Sequence, residues 1–143
     1  MKLADFDFRI WDNREQCYLN ENYLENSPFQ AMGLVKAHKS SFFGHNFDKV
    51  ALFSAGEDKE CGFGWNSGDD DDSYELELWS GIRDKNGKKI YEGDIVKLKD
   101  EIYRVCVKNG FFLEDNADNV YTMWFASKYG EVVGNIHENA ELL

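Results

Sequence analysis

From residue 74 to residue 136, short apolar segments alternate with short polar turns, and that spacing constrains the fold more than any other feature of the chain. The segments are "YELELWSGI" (74–82), "DIVKL" (94–98), "EIYRVCVK" (101–108), "FFLED" (111–115), "VYTMWFAS" (120–127) and "EVVGNI" (131–136). Rich in β-branched and aromatic residues and bounded by turn residues, they read as antiparallel strands. Lys99-Asp100, Asn109-Gly110, Asp115–Asn119 and Lys128–Gly130 supply the turns. Strands joined this tightly form a meander, which must curl to bury its apolar face. The expected fold is mainly β, with a small curled antiparallel sheet closing as an SH3-like barrel in residues 74–143.

Within that part, period two puts Leu76, Leu78 and Ile82 on one face and Glu75 and Glu77 on the other. Asn86-Gly87 is the strongest two-residue hairpin signal, because both positions accept positive φ. Gly93-Asp94 opens the next strand. Ile82, Ile90 and Val96 then serve as apolar anchors, while Asp84, Lys85, Lys88 and Lys89 stay in water.

The first half of the chain is less regular. "FDFRIW" (6–11) alternates Phe6, Phe8 and Ile10 with Asp7 and Arg9, "DNRE" (12–15) turns, and "QCYL" (16–19) returns, which predicts an N-terminal hairpin. "NSPFQAMGLVKAHK" (26–39) carries a helix-start signature. Ser27 is placed as N-cap, Pro28 as first helical residue and Gln30 as partner in a capping box. Phe29, Met32 and Val35 follow at helical spacing, against a cost of about 1 kcal/mol for Gly33. One short helix is expected there. "DKVALFSA" (48–55) reads as a strand, and the glycine- and acid-rich stretch 56–73 as an exposed loop or insertion. The chain is thus expected as one domain, with residues 1–55 leading through the 56–73 loop into the 74–143 meander.

Charge narrows the function classes. The net charge is −11 over 143 residues. Residues 54–80 hold nine carboxylates against Lys59 alone, so most of the excess sits there. Nucleic-acid binding draws its affinity from cations that displace counterions, so direct binding to DNA or RNA is not expected. An anionic membrane surface is disfavoured on the same ground. No stretch has the length of a signal peptide or a membrane span. Cys17, Cys61 and Cys106 are odd in number and far apart, without a C-x-x-C pair, which fits neither a zinc ribbon nor a disulfide framework. A cytoplasmic location without cofactors is the expectation.

Few side chains suggest chemistry. Glu92 and Asp94 lie two apart and share a face in extended backbone, as a general acid and base or a cation site would require. The competing reading is that Gly93-Asp94 makes a turn, with its carboxylate accepting backbone amides while Glu92 is solvated. Asp69, Asp70, Asp71 and Asp72 lack the spacing and trailing glutamate of a calcium loop. His38, His45 and His137 show no zinc-protease spacing, and Cys61 with His45 has no flanking nucleophile signature. Trp65, Trp79 and Trp124 raise the question of aromatic platforms. Base-stacking platforms come with a basic groove, whereas Trp65 and Trp79 have acidic neighbours. No catalytic constellation stands out, and an enzyme is not the first expectation.

Three blocks, in order, resemble a known family. "FRIWD" (8–12), "GIRDKNGKKIYEGDIVKL" (81–98) and "GEVVGNIHENAELL" (130–143) are similar to the YopX-like family, whose pattern runs FR-x-WD, then G-x-x-DKNGK-x-IYEGDIV, then EVIGNI-x-EN-PELL. The residues carrying the likeness include Trp11, Asp12, Gly81, Asp84, Asn86, Gly87, Tyr91, Glu92, Gly93, Asp94, Gly134, Asn135, Glu138 and Asn139. The blocks cover 37 of 143 positions. Ala140 stands where the family usually has proline, and Arg83 where a lysine is common. The resemblance implies a mostly-β fold with a barrel-like C-terminal part and a phage or prophage origin; it brings no catalytic residue.

Together these readings favour a non-enzymatic interaction or regulatory module acting on a host or phage protein in the cytoplasm of the bacterial host. The expected interaction surface is Phe63, Trp65, Asp69, Asp70, Asp71, Asp72, Glu75, Glu77 and Trp79. A self-assembling β module, an acidic mimic of nucleic acid and a metal-dependent enzyme using Glu92 and Asp94 are the alternatives.

Overall fold

The computed structural model describes residues 2, 5–19, 29–36, 41–42, 45–46, 50–56, 64–66 and 74–143, with backbone alone over 29–66. The strands are β1 (Phe8–Asp12), β2 (Cys17–Tyr18), β3 (Phe29–Lys36), β4 (Ser41–Phe42), β5 (His45–Asn46), β6 (Val50–Gly56), β7 (Gly64–Asn66), β8 (Tyr74–Arg83), β9 (Lys89–Tyr91), β10 (Asp94–Leu98), β11 (Glu101–Val107), β12 (Phe111–Glu114), β13 (Val120–Thr122) and β14 (Glu131–Asn135). A helix, α1, spans Met123–Tyr129. The fold is mainly β, and one of its sheets is a half-barrel. Two compact units divide the chain: residues 1–11 with 75–143, and residues 12–74.

In the first unit the half-barrel is a five-stranded sheet in the order β13-β12-β11-β10-β14. Consecutive antiparallel pairings build the meander, from Leu98 against Glu101 to Leu113 against Tyr121. β14 then returns to pair with β10 on the far edge, Ile95 facing Gly134. A tight turn from β13 cannot reach that edge, and α1 makes the crossing. Residues 120–127, expected as one strand, therefore split into β13 and α1. Met123 and Ala126, three apart, drive the helix into the core, and the Gly130 amide closes it on the Ala126 carbonyl at 2.9 Å. The core beneath holds Ile90, Val96, Tyr103, Val105, Leu113, Met123, Ala126 and Val132. Fully buried members such as Ile90 and Leu113 each contribute about 1.5–3 kcal/mol.

β1, β8 and β9 are neighbours in a second sheet of this unit. The β8–β9 hairpin shows what the Asn86-Gly87 signal omitted. Gly87 takes φ +85°, but Asn86 does not take positive φ, so the corner is not a two-residue turn with both positions left-handed. Asp84 organises it instead. Its Oδ1 accepts the Asn86 and Lys88 amides at 2.8 and 2.9 Å, and its carbonyl accepts the Gly87 amide at 3.0 Å. Asp84 is also buried rather than wet, because Oδ2 accepts the Val132 amide at 3.0 Å and ties the corner to β14. Asp115 builds the same corner after β12, accepting the Ala117 and Asn119 amides, with Asp118 at φ +60° in the place of Gly87.

In the second unit β3, β6 and β7 form an antiparallel sheet, and β4 pairs with β5. The helix expected over 26–39 is absent from the described part of that stretch: residues 29–36 are strand, paired with β6 from Met32 against Ser54 to Lys36 against Val50. Gly33 and β-branched Val35 weaken a helix, and the seven register pairs with β6 outweigh a local cap. The 56–73 loop also contains strand, since β7 pairs Trp65 with Phe53. At the start of this unit the Asp12 carboxylate accepts the Arg14 and Glu15 amides at 2.8 and 3.1 Å, turning the chain towards β2.

Candidate functional site

Period two placed Asp7 and Arg9 on one side of β1, yet the same alternation puts Trp11 on that side too. A tryptophan on a charged face signals that the face is covered, and Trp11 is buried. β8 repeats the pattern with Glu75, Glu77 and Trp79. Glu77 is 3 % exposed while Leu76 is 39 % exposed, so these two positions exchange the expected inside and outside. Glu75 is exposed as expected, and Ile82 packs against the core.

The reason is a polar centre around Arg9. Its Nε donates to Glu77 Oε2 and its Nη2 to Asp94 Oδ1 at 2.7 Å. Asp94 Oδ2 accepts the Tyr91 amide at 2.8 Å, so both of its oxygens are engaged. Glu77 Oε1 lies 3.0 Å from His137 Nε2, and the imidazole stacks on Trp11 with centroids 4.5 Å apart and planes at 9°. The guanidinium sits over the Tyr91 ring at 4.9 Å, and the Tyr91 hydroxyl donates to Asp7 Oδ2 at 2.6 Å. Gly93 runs under this cluster at φ +78°, where a Cβ would meet Glu77 Oε1 at 2.6 Å.

Burial pushes the Asp94 carboxyl above its ordinary range, and the neighbouring Arg9 opposes the rise. Glu92, half-buried, is also raised, by burial and then by the charge of Glu77. Asp7 shows the opposite balance. Burial disfavours its charge, but bonds from Lys89, Tyr91 and the Phe8 amide overcome that and leave it lowered. Burial and the hydrogen bond to Asp7 push the Tyr91 phenol far above its usual range.

The other expected residues sit as follows. Trp79 is half-buried, with its indole donating to the Ile82 carbonyl at 3.1 Å and Lys89 over its ring at 4.9 Å. Glu75 is exposed, 3.7 Å from His137. Gly81 takes φ +79° where the β8–β9 register shifts. Gly134 passes so close to Asn139 that a Cβ would overlap its side chain. Asn135 Oδ1 accepts the His137 and Glu138 amides, and its Nδ2 donates to Glu138 at 2.6 Å. Phe63, Asp69, Asp70, Asp71 and Asp72 lie outside the described residues, as do Cys61 and His38; Trp65 is described only as part of β7. Among the described residues, no three His, Cys, Asp or Glu side chains could together hold a metal ion.

A second feature was missed by sequence reasoning. An open groove of about 510 Å³ lies on the half-barrel, lined by Leu98, Tyr103, Tyr121, Phe125 and Tyr129 with Lys99 and Glu101. Tyr103 and Tyr121 meet edge to face with centroids 5.2 Å apart. Each phenol donates to a carboxylate, Tyr103 to Glu101 at 2.5 Å and Tyr121 to Asp115 at 3.2 Å. The Glu101 bond and then burial push the Tyr103 phenol up to about 12. Trp124 and Tyr129 of α1 are half or more exposed, Phe125 nearly so. Reading 120–127 as a strand concealed this, because only the helix turns Trp124, Phe125 and Tyr129 outward together.

The family model described as YopX protein matches residues 7–143. The chain belongs to the YopX family. Its fold is similar to that of YopX from Bacillus subtilis, at 20 % identity and TM-score 0.58, covering 95 % of this chain and 96 % of that one. It is also similar to protein EF1440 from Enterococcus faecalis, at 23 % identity and TM-score 0.54, covering 96 % and 97 %. The search of curated proteins gave no match. Within unit 1, the YopX-like blocks supply Arg9 and Trp11, Tyr91 to Asp94, and His137, which meet in the polar centre. Among the described residues, no helix is long and apolar enough to cross a membrane.

Proposed function

We propose that this YopX-family protein is a non-enzymatic interaction module that docks a protein partner on the aromatic face of the half-barrel. The observation that carries the reading is the joint exposure of Trp124, Phe125 and Tyr129 beside an open groove. Tryptophan and tyrosine dominate interface hot spots, since they bury a large rigid area and keep a polar tip. The polar centre contributes less to such a role, because the oxygens of Glu77 and Asp94 are already bonded to Arg9, His137 and the Tyr91 amide. For the same reason a metal-dependent enzyme built on Glu92 and Asp94 is the weaker reading, and burial removes Glu77 from any acidic mimic surface. The family resemblance adds the expectation of a phage or prophage gene, so the partner is sought among host or phage proteins of the cytoplasm.

The test compares capture by the wild-type protein, by a Trp124→Ser/Phe125→Ser double variant, and by Val133→Ser, which removes an exposed apolar side chain from β14. A partner retained by wild type and Val133→Ser but lost by the double variant supports the reading. A partner set that the double variant leaves unchanged overturns it. Self-assembly is the second reading, carried by β13, which ends its sheet with Val120, Tyr121 and Thr122 all exposed. Light scattering across protein concentration decides it: a monomer at every concentration removes it.

A further inference from the structure

We propose that the groove between β11, β13 and α1 receives an arginine side chain of the partner protein. The inference rests on the docking reading above and adds the chemistry of what is docked. Tyr103 and Tyr121 meet edge to face, and Tyr121, Phe125 and Tyr129, each more than a third exposed, complete an aromatic lining. Ring faces attract cations through their quadrupole, and a planar guanidinium can stack on one while pointing its N–H groups elsewhere.

The polar groups around these rings select the charge. Glu101 lines the groove and accepts from the Tyr103 phenol, while Asp115, outside the lining, accepts from Tyr121. A phenol that donates to a carboxylate keeps its proton, while the hydrogen bond pushes electron density into the ring and strengthens its pull on a cation. A guanidinium in the groove therefore shares it with the exposed Glu101 carboxylate, as charge-assisted pairing requires. An acidic ligand would meet the Glu101 carboxylate and be repelled. Lys99 is the groove's own cation and is exposed at a β-turn. The surface already shows this chemistry at one edge, where the Lys128 ammonium lies 5.0 Å from the Trp124 ring centre and 5.3 Å from that of Tyr129. The chain's net charge of −11 favours approach of a basic segment from further away.

The probes are acetyl-Leu-Arg-Leu-amide and its citrulline counterpart, which keeps the shape and removes the charge. Each is titrated into the full-length protein, with backbone amide resonances as readout. The expected result is saturable shifts at Leu98, Tyr103, Tyr121, Phe125 and Tyr129 with the arginine peptide, and binding about tenfold weaker with citrulline. Glu101→Gln, on an exposed site, should keep the spectrum of the folded protein and weaken the arginine peptide about threefold. Equal binding of both peptides, shifts centred elsewhere, or no shifts at the groove would each overturn the proposal. Groove shifts on raising protein concentration without peptide would overturn it too, by showing a second copy as the occupant. Failure here leaves the docking reading standing, because loss of capture by the Trp124→Ser/Phe125→Ser variant requires no cation.

Discussion

Around Arg9, the carboxylates of Glu77 and Asp94 are bonded inside the chain, whereas around Tyr121 large rings lie open to water. The difference follows the sequence. The polar centre draws on the blocks 8–12, 81–98 and 130–143, which carry the family likeness, together with Glu77 of β8. The groove is built from residues 98–129, almost wholly between the last two blocks. Within unit 1, the three blocks that carry the likeness thus hold the scaffold, and the exposed rings lie between the last two of them. A substitution in the centre should cost stability, and one in the groove should cost binding.

Arg9→Met gives the largest expected effect. It removes the guanidinium while leaving Asp94 and Glu77 buried, and breaking one side of a buried ion pair typically costs about 3–5 kcal/mol. Urea unfolding should show the loss as a lower midpoint at unchanged slope. A loss below about 1 kcal/mol, the range of an exposed ion pair, would mean that the centre is no more a scaffold than the surface is. Gly93→Ala should come next, at about 2 kcal/mol. An L-residue at φ +78° costs about 1–2 kcal/mol, and the new Cβ must also displace the Glu77 carboxylate.

Smaller effects should appear as pH dependence, with opposite signs at two carboxylates of the scaffold. Burial raises Asp84, but the amides of Val132, Lys88 and Asn86 outweigh it and leave the folded carboxyl below its ordinary range. Its contribution is present above the unfolded value of 3.8 and disappears as pH falls through the folded one. The wild type should therefore exceed Asp84→Asn by about 1 kcal/mol at neutral pH, and the gap should close in acid. Glu92 is raised, so its folded form holds its proton more tightly than the unfolded chain does. The resulting stability is complete below the unfolded value of 4.5 and is lost as pH rises through the folded value. Glu92→Gln should gain on the wild type as pH rises from 4 to 7. Parallel pH profiles for the two variants would show that the two carboxylates do not differ in this way.

Strand spacing after residue 74 made the meander legible, because turns and β-branched segments are local signals. Two other features required knowledge of what packs against what. Residues 29–36 carry a cap and helical spacing, yet their backbone pairs with β6, a partner that no local window contains. Residues 123–129 look strand-like in composition but form a helix, since β14 must cross to β10 and Met123 with Ala126 can bury themselves only in that form. The centre was half legible. Trp11 and Trp79 shared faces with charges, a sign of covered charge, while the identity of the covering groups depended on bringing residues 9, 77, 94 and 137 together. The Asp84 corner was misjudged for a similar reason. Its sequence suits a solvated turn as well as Asp115's does; the Val132 amide buries Asp84 Oδ2, whereas Asp115 Oδ2 accepts from the exposed Asn119 and Tyr121 side chains.

The smallest expected change in stability belongs to the groove, and it tests the comparison from the other side. Trp124→Ser/Phe125→Ser removes two exposed rings from a helix face whose buried residues, Met123 and Ala126, remain. Substitutions at such positions usually shift stability by no more than about 0.5 kcal/mol each, so the urea midpoint should barely move. Capture of the partner should nevertheless be lost, since truncating a central aromatic anchor commonly costs 2 kcal/mol or more of binding, on the order of thirtyfold in affinity. If the double variant instead unfolds like Arg9→Met, the aromatic face is part of the scaffold and its exposure has another cause. If it folds normally and still retains the partner, the division of labour between centre and groove fails, and the docking surface must be sought elsewhere on the chain.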